Sequence, residues 1–209
     1  MSASRQYLQI YEKLYSVYGE CICPLKHKTP FQLLAAVMLS AQCRDERVNI
    51  VTEKLFAVAP DAASMAEMPV SEIEKIIHPC GLYRNKSRNL HDCAVMLVTR
   101  YDSEVPRTME ELIQLPGIGR KSANVILGNA FHIPGFPVDT HVKRLLNRIG
   151  MVKSDSPEKI EYAVTGAVPE KLWTNFSHLL IQHGRQICFS RNPQCDKCVI
   201  GNICKKISV

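Results

Sequence analysis

The 209 residues (23.5 kDa) are 46% apolar and 22% charged, enough to build a core and too apolar for bulk disorder. The longest unbroken apolar run, Leu33 to Leu39, has seven residues; a membrane span needs roughly 18 to 20, and the N-terminus lacks the basic-then-apolar order of a signal peptide, so a soluble cytoplasmic protein is expected. Lysine and arginine outnumber aspartate and glutamate 26 to 20, a net +6, too mild a bias to argue unaided for a polyanionic partner.

The helical period dominates and no alternating strand stands out, so an all-α protein of about ten helices is expected. Tyr7 to Tyr18 is amphipathic and stops at Gly19. Thr29-Pro30 reads as an N-cap and first-turn proline for a helix over Phe31 to Leu39. Asp45 opens a helix through Val48, Val51, Leu55 and Phe56 that Pro60 ends. Ser71 and Glu74 have the spacing of a capping box, and that short helix ends at Pro79-Cys80-Gly81. Tyr83 to Tyr101 is helical. Thr108 and Glu111 repeat the capping-box spacing and open a helix to about Gln114. Pro116-Gly117-Ile118-Gly119 is a tight break, after which helicity resumes to about Phe131. Pro134, Gly135 and Pro137 make an irregular link, and Asp139 is placed to cap the next helix, to about Ile149. Ser156-Pro157 opens another, and Leu172 to Ile187 is the last long one.

Charge is unevenly placed along these elements. Asp45 to Pro79 carries seven acids against three bases, whereas Gly117 to Gly150 and Gln182 to Val209 each carry five bases against one acid. A bias of that kind can hold a polyanion against one side. The hairpin Leu115-Pro-Gly-Ile-Gly-Arg-Lys-Ser-Ala-Asn124 sharpens the reading. Its two glycines allow positive φ and close backbone approach. The amides of Gly117 and Gly119 would sit at a helix N-terminus, where an anion such as a DNA phosphate fits without any preference for sequence. Lys121 begins the second helix beside Arg120; it is either a nucleophilic amine able to form a Schiff base or a phosphate-pairing surface lysine. Asp139, eighteen residues on in Val138-Asp-Thr-His141, either caps its helix or offers a carboxylate to the chemistry of Lys121, and one residue can do both.

Nine cysteines include four in the last 22 residues: Cys188, Cys195, Cys198 and Cys204, spaced C-x6-C-x2-C-x5-C. An odd total without a signal peptide argues against a disulfide framework. Spacing alone leaves a four-cysteine zinc site open, although such sites more often show two C-x-x-C knuckles.

Hairpin, Gly/Pro link and aspartate in this order resemble the helix-hairpin-helix DNA glycosylase superfamily. The cysteine spacing is similar to the [4Fe–4S] loop of the endonuclease III family, and the resemblance covers nearly the whole chain. It implies an all-α, two-lobed fold. A six-helix barrel would span residues 21–131, with the helix-hairpin-helix at about 109–131, and a discontinuous cluster lobe would combine 1–20 with 132–209. The active site would lie where Lys121 and Asp139 meet. The activity implied is base excision repair of double-stranded DNA: release of oxidised or ring-saturated pyrimidines, then cleavage 3′ of the abasic site by β-elimination.

By the same resemblance Lys121 attacks C1′ and Asp139 assists. Gln42 fills the gap left by the flipped nucleotide, and Leu82 is the wedge, although an apolar residue there also reads as core. His141 is expected at a phosphate or against Asp139, and Asp45 matches an acidic position of the family. Arg191 is the single base of the Phe189 to Gln194 loop, where the family usually has several; Asn192 is a departure for which Lys197, Lys205 and Lys206 could compensate. Cys43 and Arg44 also depart from the small or hydroxyl residues expected after Gln42. A monomer of prokaryotic origin, associated with the nucleoid through DNA and with no membrane partner, is implied. The alternatives are a mismatch glycosylase of the same superfamily, a non-catalytic DNA-binding module with a zinc or iron–sulfur staple, and an electron-transfer protein. Members of the mismatch group generally lack a lysine at the position of Lys121.

Overall fold

A computed structural model describes residues 2–209, and among them eleven α-helices and three 3-10 turns are the regular elements, with no strand. They divide into two compact units, Cys23–Ile133 and Met1–Ile22 with Pro134–Val209. Helix α1 (Ala3–Tyr18) belongs to the discontinuous unit. Helices α2 (Pro30–Leu39), α3 (Asp45–Val58), α4 (Ala62–Glu67), α5 (Val70–Ile77), α6 (Tyr83–Arg100), α7 (Met109–Leu112) and α8 (Arg120–Ala130) build the continuous one. Helices α9 (Thr140–Ile149), α10 (Pro157–Thr165) and α11 (Trp173–Gln186) complete the discontinuous unit.

The continuous unit is organised around α2. Nine of its ten residues are buried, which marks a helix apolar all round as a central one. The Thr29 hydroxyl caps it, accepting from the Gln32 amide at 3.2 Å, and Pro30 follows in the first turn. It packs on α3, α6 and α8. Helix α4 was not legible in the sequence. Its six residues are too few for a visible period, and Asp61 and Ser64 close a capping box around its start. It lies against α6.

Two expected capping boxes resolve differently. The Ser71–Glu74 box is not formed. Helix α5 starts two residues earlier, with Pro69 in the N-cap position and no side-chain cap. The Pro69 carbonyl accepts from the Glu72 and Ile73 amides at 2.8 and 3.2 Å, so backbone alone begins the helix and Ser71 falls inside it. Thr108 does cap α7: its hydroxyl accepts from the Glu111 amide at 3.3 Å and donates to the Glu111 carboxylate at 2.7 Å.

In the discontinuous unit α11 packs on α1 and α9. Phe136 and Phe176 are fully buried at its centre, with ring centroids 5.9 Å apart, and Tyr7 meets Phe176 edge-on at 6.4 Å. The Tyr18 hydroxyl is 2.9 Å from His183 Nδ1, and the Cys21 amide donates to Asn175 at 2.9 Å. Beyond Gln186 the chain is irregular apart from the 3-10 turn Cys195–Lys197.

Candidate active site and metal centre

The hairpin joins α7 to α8 through a turn in which the Ile118 amide donates to the Leu115 carbonyl at 3.1 Å. Leu115 and Ile118 are buried and pin the turn to the core. The two glycines serve different needs. Gly117 has φ +78°, and a Cβ there would stand 2.9 Å from Met38 Cε and 3.0 Å from Asn89 Cβ, so both conformation and space demand glycine. Gly119 is the N-cap of α8 at φ −103°, without the positive φ the sequence allowed. A Cβ there would meet nothing within 4 Å. What Gly119 contributes is an open approach to the first amides of α8, which no helical carbonyl can satisfy. Arg120 and Lys121 are the first two residues of that helix, half-buried and exposed respectively.

Two further turns of the same unit carry exposed side chains on left-handed backbone. Gln42 has φ +53° and follows α2. Leu82 has φ +48°, is 56% exposed and leads into α6. Core packing of Leu82 is therefore overturned. A left-handed conformation is uncommon for any non-glycine residue, and it collects where the surroundings fix a functional side chain. Cys43 is half-buried, Arg44 exposed, and Asp45 half-buried at the first position of α3.

In the discontinuous unit Asp139 is the N-cap of α9, its Oδ1 accepting from the Val142 amide at 2.8 Å. His141 lies two residues on. Its Nδ1 is 3.1 Å from the Arg144 guanidinium, and a Cβ on Gly184 would come within 2.8 Å of that nitrogen, so the ring is packed against α11. Burial lowers the pKa of His141 from its ordinary value. Arg144 donates onward to the carbonyls of Gly184 and Cys188 at 3.0 and 2.8 Å.

Cys188, Cys195, Cys198 and Cys204 line one cavity with Leu145, Arg148, Ile149, His183 and Ile200. Burial raises the Cys198 and Cys204 thiols, and the neighbouring cysteines raise them further. Nitrogen atoms lie close to three of the four sulfurs. The Lys206 amide donates to Cys204 Sγ at 3.4 Å, His183 Nε2 is 3.3 Å from Cys198 Sγ, and Arg148 is 3.7 Å from Cys188 Sγ. Burial also pulls His183 down to about 4. Four thiols lining one cavity, with the Lys206 amide and the Arg148 guanidinium beside two of them, fit a cationic inorganic group held as thiolates, although no group of three or more His, Cys, Asp and Glu among the described residues is arranged to hold a single metal ion.

Arg191 is exposed in the loop before Cys195, and Asn192 next to it adopts φ +50°, a conformation asparagine tolerates better than most residues. The loop itself is held by a residue the sequence did not single out. Buried Arg148 donates to the Phe189 and Ser190 carbonyls at 2.5 and 2.8 Å. The available signal was a cation among the buried positions Leu145, Leu146 and Ile149 of α9.

Residues 35–170 match the HhH-GPD superfamily of base excision DNA repair proteins, which sets the class of protein that the all-α fold and the hairpin define. The chain is 46% identical over 192 residues to endonuclease III of Synechocystis sp., covering 91% of this chain and 88% of that one. It is 38% identical over 196 residues to endonuclease III of Bacillus subtilis, covering 93% and 90%. A trapped endonuclease III–DNA covalent intermediate superposes with a TM-score of 0.94 at 38% identity, over 99% of this chain and 97% of that one. The chain belongs to the endonuclease III family and is a base-excision DNA glycosylase and lyase. The mismatch-glycosylase, non-catalytic and electron-transfer alternatives are set aside.

Proposed function

We propose that this enzyme releases oxidised or ring-saturated pyrimidines from double-stranded DNA, and then cuts 3′ of the abasic site, with Lys121 as the nucleophile. The observation that carries the reading is an exposed lysine in the first turn of α8, two residues after an N-cap glycine with open space around it. Lys121 Nζ bonds to C1′ as the bond from C1′ to the base breaks, and its electron pair leaves with the base, which takes up a proton. Opening of the sugar ring leaves an imine between Nζ and C1′. The imine draws electrons from C2′ when a 2′ proton departs, and the C3′–O bond breaks to release the phosphate. Asp139 stabilises the developing sugar cation or takes the lysine proton. Its cap bond to Val142 engages one carboxylate oxygen, Oδ1.

The target nucleotide must leave the base stack to be reached. Leu82 wedges the stack and Gln42 fills the vacated space. Gly117, Gly119, Arg120, His141 and Arg191 hold the backbone, which positions the duplex without reading its sequence. Cys188, Cys195, Cys198 and Cys204 would hold a [4Fe–4S] cluster, which would cross-link residues 188–204 through their thiolates. The enzyme acts as a monomer on lesion or abasic DNA in the cytoplasm of a prokaryote. Among the described residues no helix is long and apolar enough to cross a membrane.

Borohydride reduction of the imine tests the central assignment. On duplexes carrying thymine glycol or an abasic site, the wild-type enzyme is expected to form a covalent adduct at Lys121, and Lys121→Ala is expected to form none. Undiminished trapping by that variant refutes the nucleophile. Asp139→Asn separates the two roles of the aspartate, because asparagine caps a helix as well as aspartate does. Retained DNA binding with excision lowered by about a hundredfold or more is expected, and near-normal excision reduces Asp139 to a cap.

A further inference from the structure

We infer that Lys86 is a positioning residue: its ammonium clamps the turn carrying Gln42 to the turn carrying Leu82, and so sets the spacing of the two side chains that enter the duplex. The inference rests on the roles proposed above for Gln42 and Leu82. Lys86 lies near the start of α6 and is 6% exposed. Its Nζ donates to the Leu39 carbonyl at 2.9 Å and to the Cys80 carbonyl at 2.8 Å. Leu39 is the last residue of α2, and Cys80 ends the 3-10 turn His78–Cys80. Carbonyls at a helix C-terminus have no partner within their helix and sit at the negative end of its dipole.

Gln42 comes three residues after Leu39, and Leu82 two residues after Cys80. The clamp therefore acts immediately before each of the left-handed positions. The Leu82 carbonyl in turn accepts from the Asn85 and Lys86 amides at 3.1 Å each. Backbone and side chain of Lys86 thus hold the Leu82 turn from both sides.

A purely structural lysine explains this arrangement poorly. Burying a cation is costly, and an apolar side chain of similar volume usually serves stability as well or better. Burial accordingly pulls the Lys86 pKa down, against the opposing pull of the Cys80 and Cys43 thiols. What an ammonium provides and an apolar side chain does not is a pair of charge-assisted hydrogen bonds of fixed length between two segments. Lys86 lies 47 residues from Leu39 and 6 from Cys80 along the chain, so the two segments it joins are distant in sequence.

The test is Lys86→Met, which keeps the length of the stem and removes the donors. Single-turnover excision of thymine glycol is measured in a fully paired duplex and, separately, within an unpaired bubble where little wedging is needed. We expect a loss of at least about tenfold on the paired lesion, as for other misplaced groups. On the bubble the loss should stay within about threefold, since unpaired bases cost less to extrude. Fluorescence of 2-aminopurine beside the lesion should report reduced extrusion in step. Adding Leu82→Ala to Lys86→Met should lower paired excision little beyond Leu82→Ala alone.

Equal losses on paired and unpaired lesions, or no loss on either, overturn the inference. If Lys86→Met does not fold, Lys86→Arg keeps the buried charge but shifts the donors. The same preference for the unpaired lesion is then expected, and an equal loss on both substrates overturns it. Leu82→Ala and Gln42→Ala identify which premise is at fault. If neither slows paired excision, the roles proposed for those residues fail. If both do while Lys86→Met does not, the clamp alone fails.

Discussion

The two units solve the problem of holding a functional loop in opposite ways. In Cys23–Ile133 the core is a continuous apolar cluster from Leu25 to Leu127. The turns at Gln42, Leu82 and Gly117 hang from helices that burial has already placed. In the discontinuous unit the helices are packed just as well, around Phe136 and Phe176, but the segment that carries the cysteines is packed only in part. Of residues 188–209 only Ile200 is buried. That segment meets the core through Ile200, with partly buried Val199 and Ile203 beside it, and is otherwise held by Arg148 and Arg144 and by the Lys205 and Ile207 amides, which donate to the Ile149 and Arg148 carbonyls. One unit hangs its functional turns on a large apolar core, with the Lys86 clamp added at Gln42 and Leu82, whereas the cysteine segment of the other leans mainly on polar bonds.

The largest effect should come from removing the proposed cluster. Cys195→Ser, or iron chelation during refolding, is expected to abolish folding of residues 187–209, because an inorganic centre that forms only in the folded state contributes its binding energy to folding. The wild-type protein should be brown, with about four irons per chain, and a colourless protein with one zinc refutes the cluster. Hydrogen exchange measured by mass spectrometry checks the comparison itself. Protection should vanish in the C-terminal segment while α2 and α6 keep theirs. Equal loss in both units would mean that the continuous unit is not self-supporting.

Two substitutions then set packing against polar bonding. Leu34 is fully buried in α2, and Leu34→Ala should cost about 2 to 5 kcal/mol through lost burial and the cavity left behind. Arg148→Met removes the donors to Phe189 and Ser190 and should cost about 1.5 to 3 kcal/mol, the range for hydrogen bonds to a charged group. Denaturant melts give both values. Exchange protection should place the first loss in the continuous unit and the second around residues 188–190. A larger cost for Arg148→Met than for Leu34→Ala would reverse the order.

The same contrast explains what could be read from the sequence. Long amphipathic helices such as α1 and α9 announce themselves by period, and the caps at Thr29, Asp139 and Ser156 are local chemistry with hydrogen bonds to match. The hairpin and the cysteine spacing are likewise local. Helix α4 stayed hidden because six residues carry no period. Ser71 misled because capping spacing was present while Pro69 had already started the helix. Arg148 and Lys86 escaped because each has an acceptor far away in the chain, Phe189 at 41 residues and Leu39 at 47. Lys86 nonetheless falls in helical register with Leu90, Cys93 and Leu97, all on the buried face of α6. A cation on an apolar stripe was the available sign.

The smallest predicted effect is also the most diagnostic. Leu82 is an apolar residue that is exposed and left-handed, so it gains little from burial and carries backbone strain. Left-handed backbone costs an L-residue about 1 to 2 kcal/mol, partly offset in glycine by its greater loss of chain entropy, about 0.5 to 1 kcal/mol. Leu82→Gly should therefore leave the protein as stable as the wild type or more stable by about 1 kcal/mol, which at this chain length raises the Tm by about 2 to 4 °C. Excision from paired DNA should nevertheless fall, because the wedge is gone. A residue kept for packing gives the opposite pair of results, lower Tm with excision little changed. A thermal melt and a single-turnover assay on one variant thus decide whether the strain at Leu82 belongs to the fold or to the opening of the DNA stack.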